Sequence, residues 1–532
     1  MHTFIKIFFI FTTLLFLGCA GKHYNTTEGT VVIHKYKKPS SSLYFLAKGD
    51  VAAHYPQTGF YPLHNNLNAF MARAFLIENA KKTLDLQYFI YAEDDTAYGI
   101  TQLLVEAADR GVKVRILIDD LLQKDYDVEL EALAQHPNIE IKLFNPTPQR
   151  KLLGFIQLAF NVDTLGRRMH NKLLVADNSA AIIGGRNIEN IYFAADKDNI
   201  FIDNDVLAIG PLAAEGSNEF ETYWQSKISV DIKEIAKDIV PADYEHLRKE
   251  LFASVHTLRH NAYVDEALQT KFAKAIQAHE LELMYGDAKL YYDIPTKITA
   301  SEEDTSSHLA KQIAPLLLKI KKSLKIINPY LIPDENMIKT FKRLRKKGVE
   351  ISIITNSLAT NDGIPVYSAY SRYHRELVKM GVHLYELNPK SFTYIYKNQK
   401  YRKGSIPRSS LHAKSMIIDD SIFLIGSMNL DPRSIKLNTE ILAVIYSKEL
   451  AKVESQVFDA IIERKENVFE ISLEPQDPWD CQVTCIPQDD TRVVWTTQEN
   501  GTIVKYYNDG NAGFFRRLLS NLSFYIPMDK YL

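Results

Sequence analysis

The stretch NAKKTLDLQYFIYAEDDTAYGITQLLVEAADRGVKVRILIDDL, residues 79–121, holds an apolar strand-like run, an acidic turn, a segment with helical apolar spacing and a β-branched run. The same order recurs in KIKKSLKIINPYLIPDENMIKTFKRLRKKGVEISIITNSL, residues 319–358. Gly111 and Gly348 stand where each helix should end, a position that often needs a left-handed backbone. Strand, helix and strand in this order predict a βαβ unit with parallel pairing. The chain is therefore predicted to be an α/β protein with a duplicated domain.

A duplicated domain should repeat its functional residues, and one short motif does recur at corresponding places. The first copy reads HNKLLVAD and the second HAKSMIID, both with the spacing His-x-Lys-x-x-x-x-Asp. Seven residues after each aspartate begins Gly-Gly-Arg-Asn or Gly-Ser-Met-Asn. Two matching patterns in a repeat are a strong signal, where one alone would be weak. The candidate residues are His170, Lys172, Asp177 and Asn187 in the first copy and His412, Lys414, Asp419 and Asn429 in the second.

Both motifs are predicted to be strands that end in a tight turn. Alternate side chains of a strand share a face, so the histidine and the lysine of each motif should point the same way. An Asp-Asn or Asp-Asp turn follows, and then a second apolar strand that ends in glycine. Glycine at that place is expected to let a ligand approach the backbone closely.

Histidine, lysine and asparagine together suit a phosphoryl group. Lysine and asparagine can donate hydrogen bonds to the non-bridging oxygens, where charge accumulates. Neutral imidazole can attack phosphorus, and a second imidazole can protonate the departing alkoxide. The alternative, core strands with incidental polar residues, would bury a costly lysine twice. The motifs therefore favour phosphoryl transfer through two histidines, with no metal and no other cofactor required.

The paired motifs, with the Gly-[Gly/Ser]-x-Asn that follows each of them, closely resemble the signature of the phospholipase D superfamily. The resemblance covers nearly the whole chain from residue 42 onward. It implies two duplicated domains with mixed sheets flanked by helices, packed as a pseudo-dimer around one shared active site. It also implies a covalent phosphohistidine intermediate, with His170 as the nucleophile and His412 as general acid and then base. The reverse order of the two histidines stays open.

The same resemblance implies roles for the acidic residues. In the superfamily the aspartates of the motifs, here Asp177 and Asp419, mainly support the fold. A separate acid orients each histidine. Glu440, in LNTEI, occupies that place for the second copy. Asp203, in FIDNDVLAIGP, occupies it for the first copy, with Asp205 as the competing choice.

Further segments are similar to bacterial cardiolipin synthases, among them LDLQYFIYAEDDTAYGI, SRYHRELVKMGVHLYEL and NLDPRSIKLNTE. The pattern Asp293-x-Pro295-x-Lys297 and the C-terminal segment resemble the cardiolipin synthase C type. This resemblance implies a phosphatidyltransferase with phospholipid substrates, which forms cardiolipin from phosphatidylglycerol and a second phospholipid. A phospholipase D that releases phosphatidic acid is the alternative, because the same histidines and lysines serve both water and an alcohol as acceptor.

The N-terminus differs from the rest of the chain. An apolar run over residues 7–17 leads into Gly-Cys-Ala, and it is too short for a comfortable membrane span. We predict a lipoprotein signal peptide over residues 1–19 with Cys19 as the lipidated residue, and an uncleaved anchor is the alternative. Either would hold the catalytic body outside the cytoplasm, against a membrane surface of the cell envelope. Ala20 favours the outer membrane.

Length and charge limit the remaining possibilities. A chain of 532 residues is too long for one compact core, and a net charge of −2 gives no support to nucleic acid as a substrate. The segment FFRRLLSNLSFYIP, residues 514–527, should either contact a membrane as an amphipathic helix or pack on the domain. The predicted organisation is a linker over residues 20–41, a first phospholipase D-like domain over 42–240, a helical connector over 241–300, a second such domain over 301–470 and a C-terminal extension over 471–532.

Overall fold

The computed structural model describes residues 26–34, 42–123, 126–147, 166–196, 198–237, 243–259, 262–301, 304–305, 307–391, 408–475, 491–510 and 512–524. The predicted signal peptide, Cys19 and most of the predicted linker lie outside these ranges. Within them, no helix combines the length and the apolar character that a membrane span requires.

The described ranges contain strands and helices that alternate in two similar series. The strands are β1 Thr58–Leu63, β2 Thr83–Tyr88, β3 Lys113–Asp119, β4 Ile139–Phe144, β5 Leu173–Ala176, β6 Ala180–Gly184, β7 Asn199–Ile202, β8 Asp205–Ile209, β9 Ser229–Asp231, β10 Met284–Tyr292, β11 Ser323–Ile327, β12 Glu350–Asn356, β13 His383–Leu387, β14 Arg408–Leu411, β15 Ser415–Ile418, β16 Ile422–Gly426, β17 Ile441–Tyr446, β18 Val468–Pro475, β19 Thr491–Glu499 and β20 Thr502–Tyr506. The helices are α1 Asn66–Asn79, α2 Asp95–Asp109, α3 Asp127–Leu133, α4 Pro211–Trp224, α5 Ile232–Ile235, α6 Tyr244–Arg259, α7 Ala262–Leu268, α8 Lys271–Gln277, α9 Leu309–Leu317, α10 Glu335–Lys346, α11 Ile364–Ser371, α12 His374–Lys379, α13 Pro432–Lys436, α14 Lys448–Glu463 and α15 Phe514–Phe524.

One continuous mixed sheet of eighteen strands runs through both series. Its order in the first half is β9-β4-β3-β2-β5-β6-β8-β1, and it continues as β10-β17-β16-β15-β11-β12-β13-β18-β19-β20. The pairs β2–β3 and β11–β12 are parallel, as the βαβ pattern predicted, and the pairs β3–β4 and β12–β13 extend the parallel pairing. The antiparallel pair β1–β10 joins the two halves, and the small parallel sheet of β7 and β14 joins them again. The prediction of a duplicated α/β fold with mixed sheets flanked by helices is confirmed.

The acidic turns of the repeated stretch begin the helices. Asp94 accepts a hydrogen bond from the backbone N–H of Ala97 at the start of α2, and Asp334 does the same for α10. Such a side-chain cap satisfies one of the free N–H groups of the first helical turn. Both helices end before a glycine with positive φ, +89° at Gly111 and +81° at Gly348. The prediction that a glycine follows the end of each helix is therefore confirmed.

Apolar side chains form a core in each half and a third cluster between the halves. One cluster gathers the first repeat around Leu84 and Ile116, and another gathers the second around Leu324 and Ile351. The third cluster combines side chains from both repeats, including Leu173, Ile183, Phe220, Ile417, Ile425 and Ile441. Burial of this shared apolar surface is the main force that holds the two halves together. The pseudo-dimer is thus built on a common core.

Two predicted domain boundaries need correction. The helical connector proposed for residues 241–300 does contain α6, α7 and α8, but β10 begins at Met284 and already belongs to the sheet of the second half. The boundary at residue 470 falls inside β18, which pairs with β13. Strand β10 pairs with both β1 and β17, so its place at the junction of the two halves depends on tertiary contacts that the local pattern of the connector does not contain.

Candidate active site

The lysine and the aspartate of each motif bracket a four-residue strand. Strand β5 begins one residue after Lys172 and β15 one residue after Lys414. The histidine and lysine therefore lie in extended chain just before each strand, not inside it. The predicted turns follow at once, with φ of 52° at Asp177 and 53° at Asp419. Each strand thus separates the two ends of its motif.

The motif aspartates bind the backbone of the neighbouring strand at the end far from the histidines. The carboxylate of Asp177 accepts hydrogen bonds of 2.7–2.9 Å from the N–H groups of residues 81–83. Asp419 accepts from residues 321–323 in the same way, at 2.7–3.3 Å. These bonds fix β5 to β2 and β15 to β11 at their ends. Asp177 and Asp419 therefore hold the scaffold and do not contact the histidines.

Each histidine is bound by an acid from the other repeat. The Nδ1–H of His170 donates to Glu440 Oε2 at 2.9 Å, and the Nδ1–H of His412 donates to Asp203 Oδ2 at 2.7 Å. The prediction had paired each acid with the histidine of its own copy, and that pairing is wrong. A carboxylate on Nδ1 fixes the tautomer, so Nε2 carries the free lone pair.

Backbone pairing between the repeats explains the crossed arrangement. The N–H of His170 donates to Thr439 O at 2.9 Å, which brings the next residue, Glu440, beside the ring. The N–H of His412 donates to Ile202 O at 2.8 Å, which brings Asp203 beside the second ring. Asp205, the competing choice, is not available, because it forms ion pairs with Arg73 and Arg186.

The two lysines are buried beside the histidines. The Nζ of Lys172 donates to His170 O, and that of Lys414 to His412 O, both at 2.6 Å. Burial holds the pKa of Lys172 well below its ordinary value and lowers the pKa of Lys414 to about 8. The charges of Asp203 and Glu440 oppose this effect at both lysines. The two lysines, the two acids and the two histidines therefore form one site in which the charges interact. An anion bound there would raise both lysine pKa values again.

The pKa values of both imidazoles are lowered, which favours their neutral form. Burial lowers the pKa of His170 to about 4, and the nearby Lys172 and Lys414 add to the effect. Burial and Lys414 also lower the pKa of His412. Burial on its own raises the pKa of Asp203, but His412 and Lys414 outweigh it and bring the pKa to about 2. The site therefore favours imidazoles with an unprotonated Nε2, as a histidine nucleophile requires.

The glycines after the motifs allow another segment of the protein to pack closely against the backbone. A Cβ on Gly185 would collide with the carboxylate of Asp203, and one on Gly184 with Asp205. A Cβ on Gly426 would collide with the backbone of Ile441. These glycines therefore let the segment that carries each orienting acid approach, and the expectation that they also admit a ligand stays a prediction.

Comparison with known proteins identifies the family of this chain. The family described as "Cardiolipin synthase, PLD-like domain" matches residues 75–224 and again residues 313–462. The chain is 33% identical to cardiolipin synthase C of Escherichia coli over 90% of its own length and 96% of that protein. It belongs to the cardiolipin synthase family of phospholipase D-like proteins. The prediction of an enzyme of the phosphatidyltransferase class is thereby confirmed.

Two further similarities extend over most of the chain. An uncharacterized protein of Helicobacter pylori is 32% identical over 98% of this chain and 99% of its own. The crystal structure of a phosphatidylserine synthase from Haemophilus influenzae superposes with a TM-score of 0.53 at 17% identity, covering 77% of this chain and 87% of that one. This structural likeness supports the fold.

The asparagines of the family motif have different surroundings. Asn187 accepts a hydrogen bond from the N–H of Ile90 and donates to the hydroxyl of Tyr192 at 2.8 Å. The Tyr192 hydroxyl lies 3.5 Å from His412 Nε2, so Asn187 holds a group at the reactive nitrogen. The side-chain oxygen of Asn429 is buried and has no hydrogen-bond partner among the described residues. Phosphate binding by Asn187 and Asn429 stays a prediction.

Several site residues were not predicted from the sequence. Phe201 stacks on the ring of His412 at 4.9 Å, Tyr192 contacts it edge-on at 5.1 Å, and Phe89 contacts His170 at 5.2 Å. These aromatic rings exclude water from both imidazoles. No short motif marks them, although Phe201 is the first residue of the FIDND segment that holds Asp203. Ser427, which donates its hydroxyl to Glu440, stands inside the family motif and could have been found there.

A second layer of side chains fixes the backbone of the two acids. Asp293 Oδ2 accepts from the N–H of Glu440 at 3.0 Å, and Lys297 Nζ forms a buried ion pair with the same oxygen at 2.9 Å. Arg186 Nη2 donates to the carbonyl of Asp203 at 2.5 Å. The Asp-x-Pro-x-Lys pattern of the family thus supports the acid that orients His170. Among the described residues, no group of three or more His, Cys, Asp or Glu could hold a metal ion.

Proposed function

We propose that this protein is a membrane-facing phosphatidyltransferase that forms cardiolipin from phosphatidylglycerol and a second phospholipid. The observation that carries the proposal is the crossed pair of histidine–carboxylate hydrogen bonds, which brings two imidazoles into one site and binds Nδ1 of each, so that Nε2 is the nitrogen left for the reaction. The similarity to cardiolipin synthase C of Escherichia coli supports the choice of substrates.

In the first half of the reaction, His170 Nε2 attacks the phosphorus of the donor lipid. A P–N bond forms, and the bond from phosphorus to the departing alcohol oxygen breaks. His412 supplies the proton for that oxygen from Nε2. The bound phosphodiester carries a negative charge, which raises the pKa of His412 above its value in the empty site and permits protonation.

In the second half, His412 is neutral and acts as the general base. The hydroxyl of the acceptor phosphatidylglycerol transfers its proton to His412 Nε2 and attacks phosphorus, while the P–N bond to His170 breaks. Lys172 and Lys414 stabilise the charge on the non-bridging oxygens in both halves, an effect that is strong in a buried site. Water in place of the second lipid would give phosphatidic acid.

The activity test uses the purified full chain and labelled phosphatidylglycerol, with and without phosphatidylethanolamine, and single-stranded DNA as the control substrate. Mass spectrometry of the products should show labelled cardiolipin. Phosphatidic acid as the sole product would replace the transferase with a phospholipase D. Cleavage of DNA without lipid turnover would refute both lipid activities.

A second test separates the roles of the two histidines. With a phosphatidyl ester of an acidic aryl alcohol, the departing group needs no proton, so H412N should still release the alcohol once per enzyme. The phosphohistidine should then accumulate, because H412N lacks the base for the second half. H170N should release nothing. The opposite pattern in the two variants would reverse the assignment.

We also propose that the chain is lipid-anchored through Cys19 in the cell envelope. The support is the apolar run and the Gly-Cys-Ala sequence at the N-terminus. Labelling of growing cells with a radioactive fatty acid should mark the wild-type chain, and C19S should carry no label. Equal labelling of both would refute the anchor.

A further inference from the structure

The C-terminal helix α15 exposes its apolar side chains and buries a polar one. Six of its large apolar side chains, Phe514, Phe515, Leu518, Leu519, Leu522 and Phe524, are between 42% and 76% exposed. The buried side chain of this helix is Ser520, a polar residue. A surface helix of a soluble protein usually places its apolar stripe inward. A set of exposed apolar side chains on one short helix indicates an interaction surface.

Polar contacts hold the helix on the second repeat. The hydroxyl of Ser520 lies 3.0 Å from that of Ser368 on α11. Arg516 donates to the carbonyls of Leu358 and Asn361, and Arg517 Nη1 donates to Asn508 Oδ1 at 3.2 Å. These bonds fix the orientation of α15, so its outward apolar face is part of the folded structure. The alternatives given by the sequence, membrane contact or packing on the domain, are therefore compatible with each other.

The loop that receives Arg516 leads directly to the active site. It follows β12, whose last residue, Asn356, binds both the N–H and the carbonyl of Leu411 beside His412. Asp362 lies in the same loop. Its charge raises the pKa of Lys414 and so opposes the lowering of that pKa by burial. Helix α15 is thus linked to the site of His412 through the loop of residues 357–362.

The charge on the helix indicates what covers it. Phe514–Phe524 contains two arginines and no acidic residue. The arginines bind the domain, so they give the helix a net positive charge without direct contacts to lipid. An outward apolar face that carries no negative charge matches the surface of a bilayer with anionic phosphates. A second protein chain would need a complementary apolar face, whereas a bilayer satisfies both features at once.

We propose that the apolar face of α15 inserts into the surface of an anionic phospholipid bilayer and places the active site against its lipid substrates. This inference rests on the proposed function, because it supplies the path by which two membrane lipids reach a buried site. It assigns the docking surface to the end of the chain, independently of the N-terminal anchor.

The test compares two variants with the otherwise wild-type chain, all three of full length and carrying C19S, so that the lipid anchor proposed above does not contribute to binding. F515S/L519S removes two apolar side chains from the face, and F252S removes an exposed phenylalanine from α6 as the matched control. Flotation with phosphatidylglycerol-containing vesicles should show about 10²–10⁴-fold weaker binding for F515S/L519S, by the usual transfer free energy of two such side chains on full burial. F252S should bind like the wild type.

Turnover provides a second measurement. On vesicles, F515S/L519S should lose activity in proportion to its binding, while on a short-chain phosphatidylglycerol dispersed as monomers it should match the wild type. A third variant, L518W, reports insertion directly, since its fluorescence should shift to shorter wavelength on addition of anionic vesicles. Absence of that shift would overturn the proposal whatever the other variants do.

The outcomes separate this inference from the proposed function. A fluorescence shift without lipid turnover by the wild type would keep the docking surface and refute the phosphatidyltransferase. Normal turnover on vesicles by F515S/L519S would keep the enzyme and refute the surface. Self-association of the wild type that F515S/L519S abolishes, without a change in vesicle binding, would assign the face to a second copy of the chain and refute the bilayer.

Discussion

The two motif segments are alike on the side that faces the active site and different on the side behind it. In front, each presents a histidine bound to an acid of the other repeat and a lysine bound to the histidine carbonyl. Behind the first segment, Asn171 donates to Glu219 at 2.7 Å and accepts from Thr439 at 2.9 Å. Behind the second, Ala413 lines an apolar cavity of about 240 Å³.

The supports of the two acids differ as well. Arg186, from Gly-Gly-Arg-Asn, binds the carbonyl of Asp203, but Met428 occupies the equivalent place in Gly-Ser-Met-Asn. Glu440 is held by Asp293 and Lys297, which precede the second repeat in a part of the chain with no such pattern before the first. After duplication the reactive face was therefore kept, while each half acquired its own packing and its own support.

The largest effect on activity is expected when an acid of the reactive face, which both repeats share, is replaced. E440Q and D203N should each lower kcat by about 10²–10⁴-fold, because an amide no longer fixes the Nδ1–H tautomer of its histidine. The low-field proton NMR signal of one Nδ1–H should vanish in each variant. If E440Q removed the signal of His412 instead of His170, the crossed pairing would be refuted; H170N and H412N assign the signals.

Removal of either support should lower the stability of the folded chain. K297M leaves Asp293 buried without its cation, and R186M takes one of two guanidinium partners from Asp205. Each should lower the free energy of unfolding by about 3–5 kcal/mol, the usual cost of breaking a buried ion pair. Urea unfolding measures the loss, and K48M, which breaks an exposed pair with Glu282, is the control. A loss below that of the control would show that the support is dispensable.

The packing behind the first segment should make stability depend on pH. Burial raises the pKa of Glu219 to about 8, so the folded chain keeps a proton that the unfolded chain releases near pH 4.5. The free energy of unfolding should therefore fall as the pH rises from about 4.5 to about 8. E219Q resembles the protonated acid and should remove this part of the slope. Thermal melts from pH 5 to 8 test it, with the exposed-acid variant E282Q as control; parallel slopes for E219Q and wild type would contradict it.

The smallest effects are expected from exchange of the central motif residue. N171A removes two buried hydrogen bonds, one of them to Glu219, at a cost of about 1–3 kcal/mol. A413V adds methyl groups toward the cavity and should raise stability by up to about 1 kcal/mol. Urea midpoints give both values. Destabilisation by A413V would mean that the cavity behind His412 cannot accept larger side chains.

Much of the fold and the centre of the site could be predicted from the sequence, because both are written as local patterns in a repeat. Helical spacing, the acidic caps and the terminal glycines predict the βαβ units. The spacing of histidine, lysine and aspartate predicts two strands that end in tight turns. Each of these features depends on residues close together along the chain, which is why a single sequence contains them.

Tertiary structure alone decided how the halves combine. Glu440 lies 270 residues from His170, and Asp203 lies 209 residues from His412, so no local spacing relates either acid to its histidine. Hydrogen bonds of the backbone at Thr439 and Ile202 make those pairings, after burial of the shared core has brought the repeats together. The sequence determined which residues carry the chemistry, and packing between the halves decided which of them act on one another.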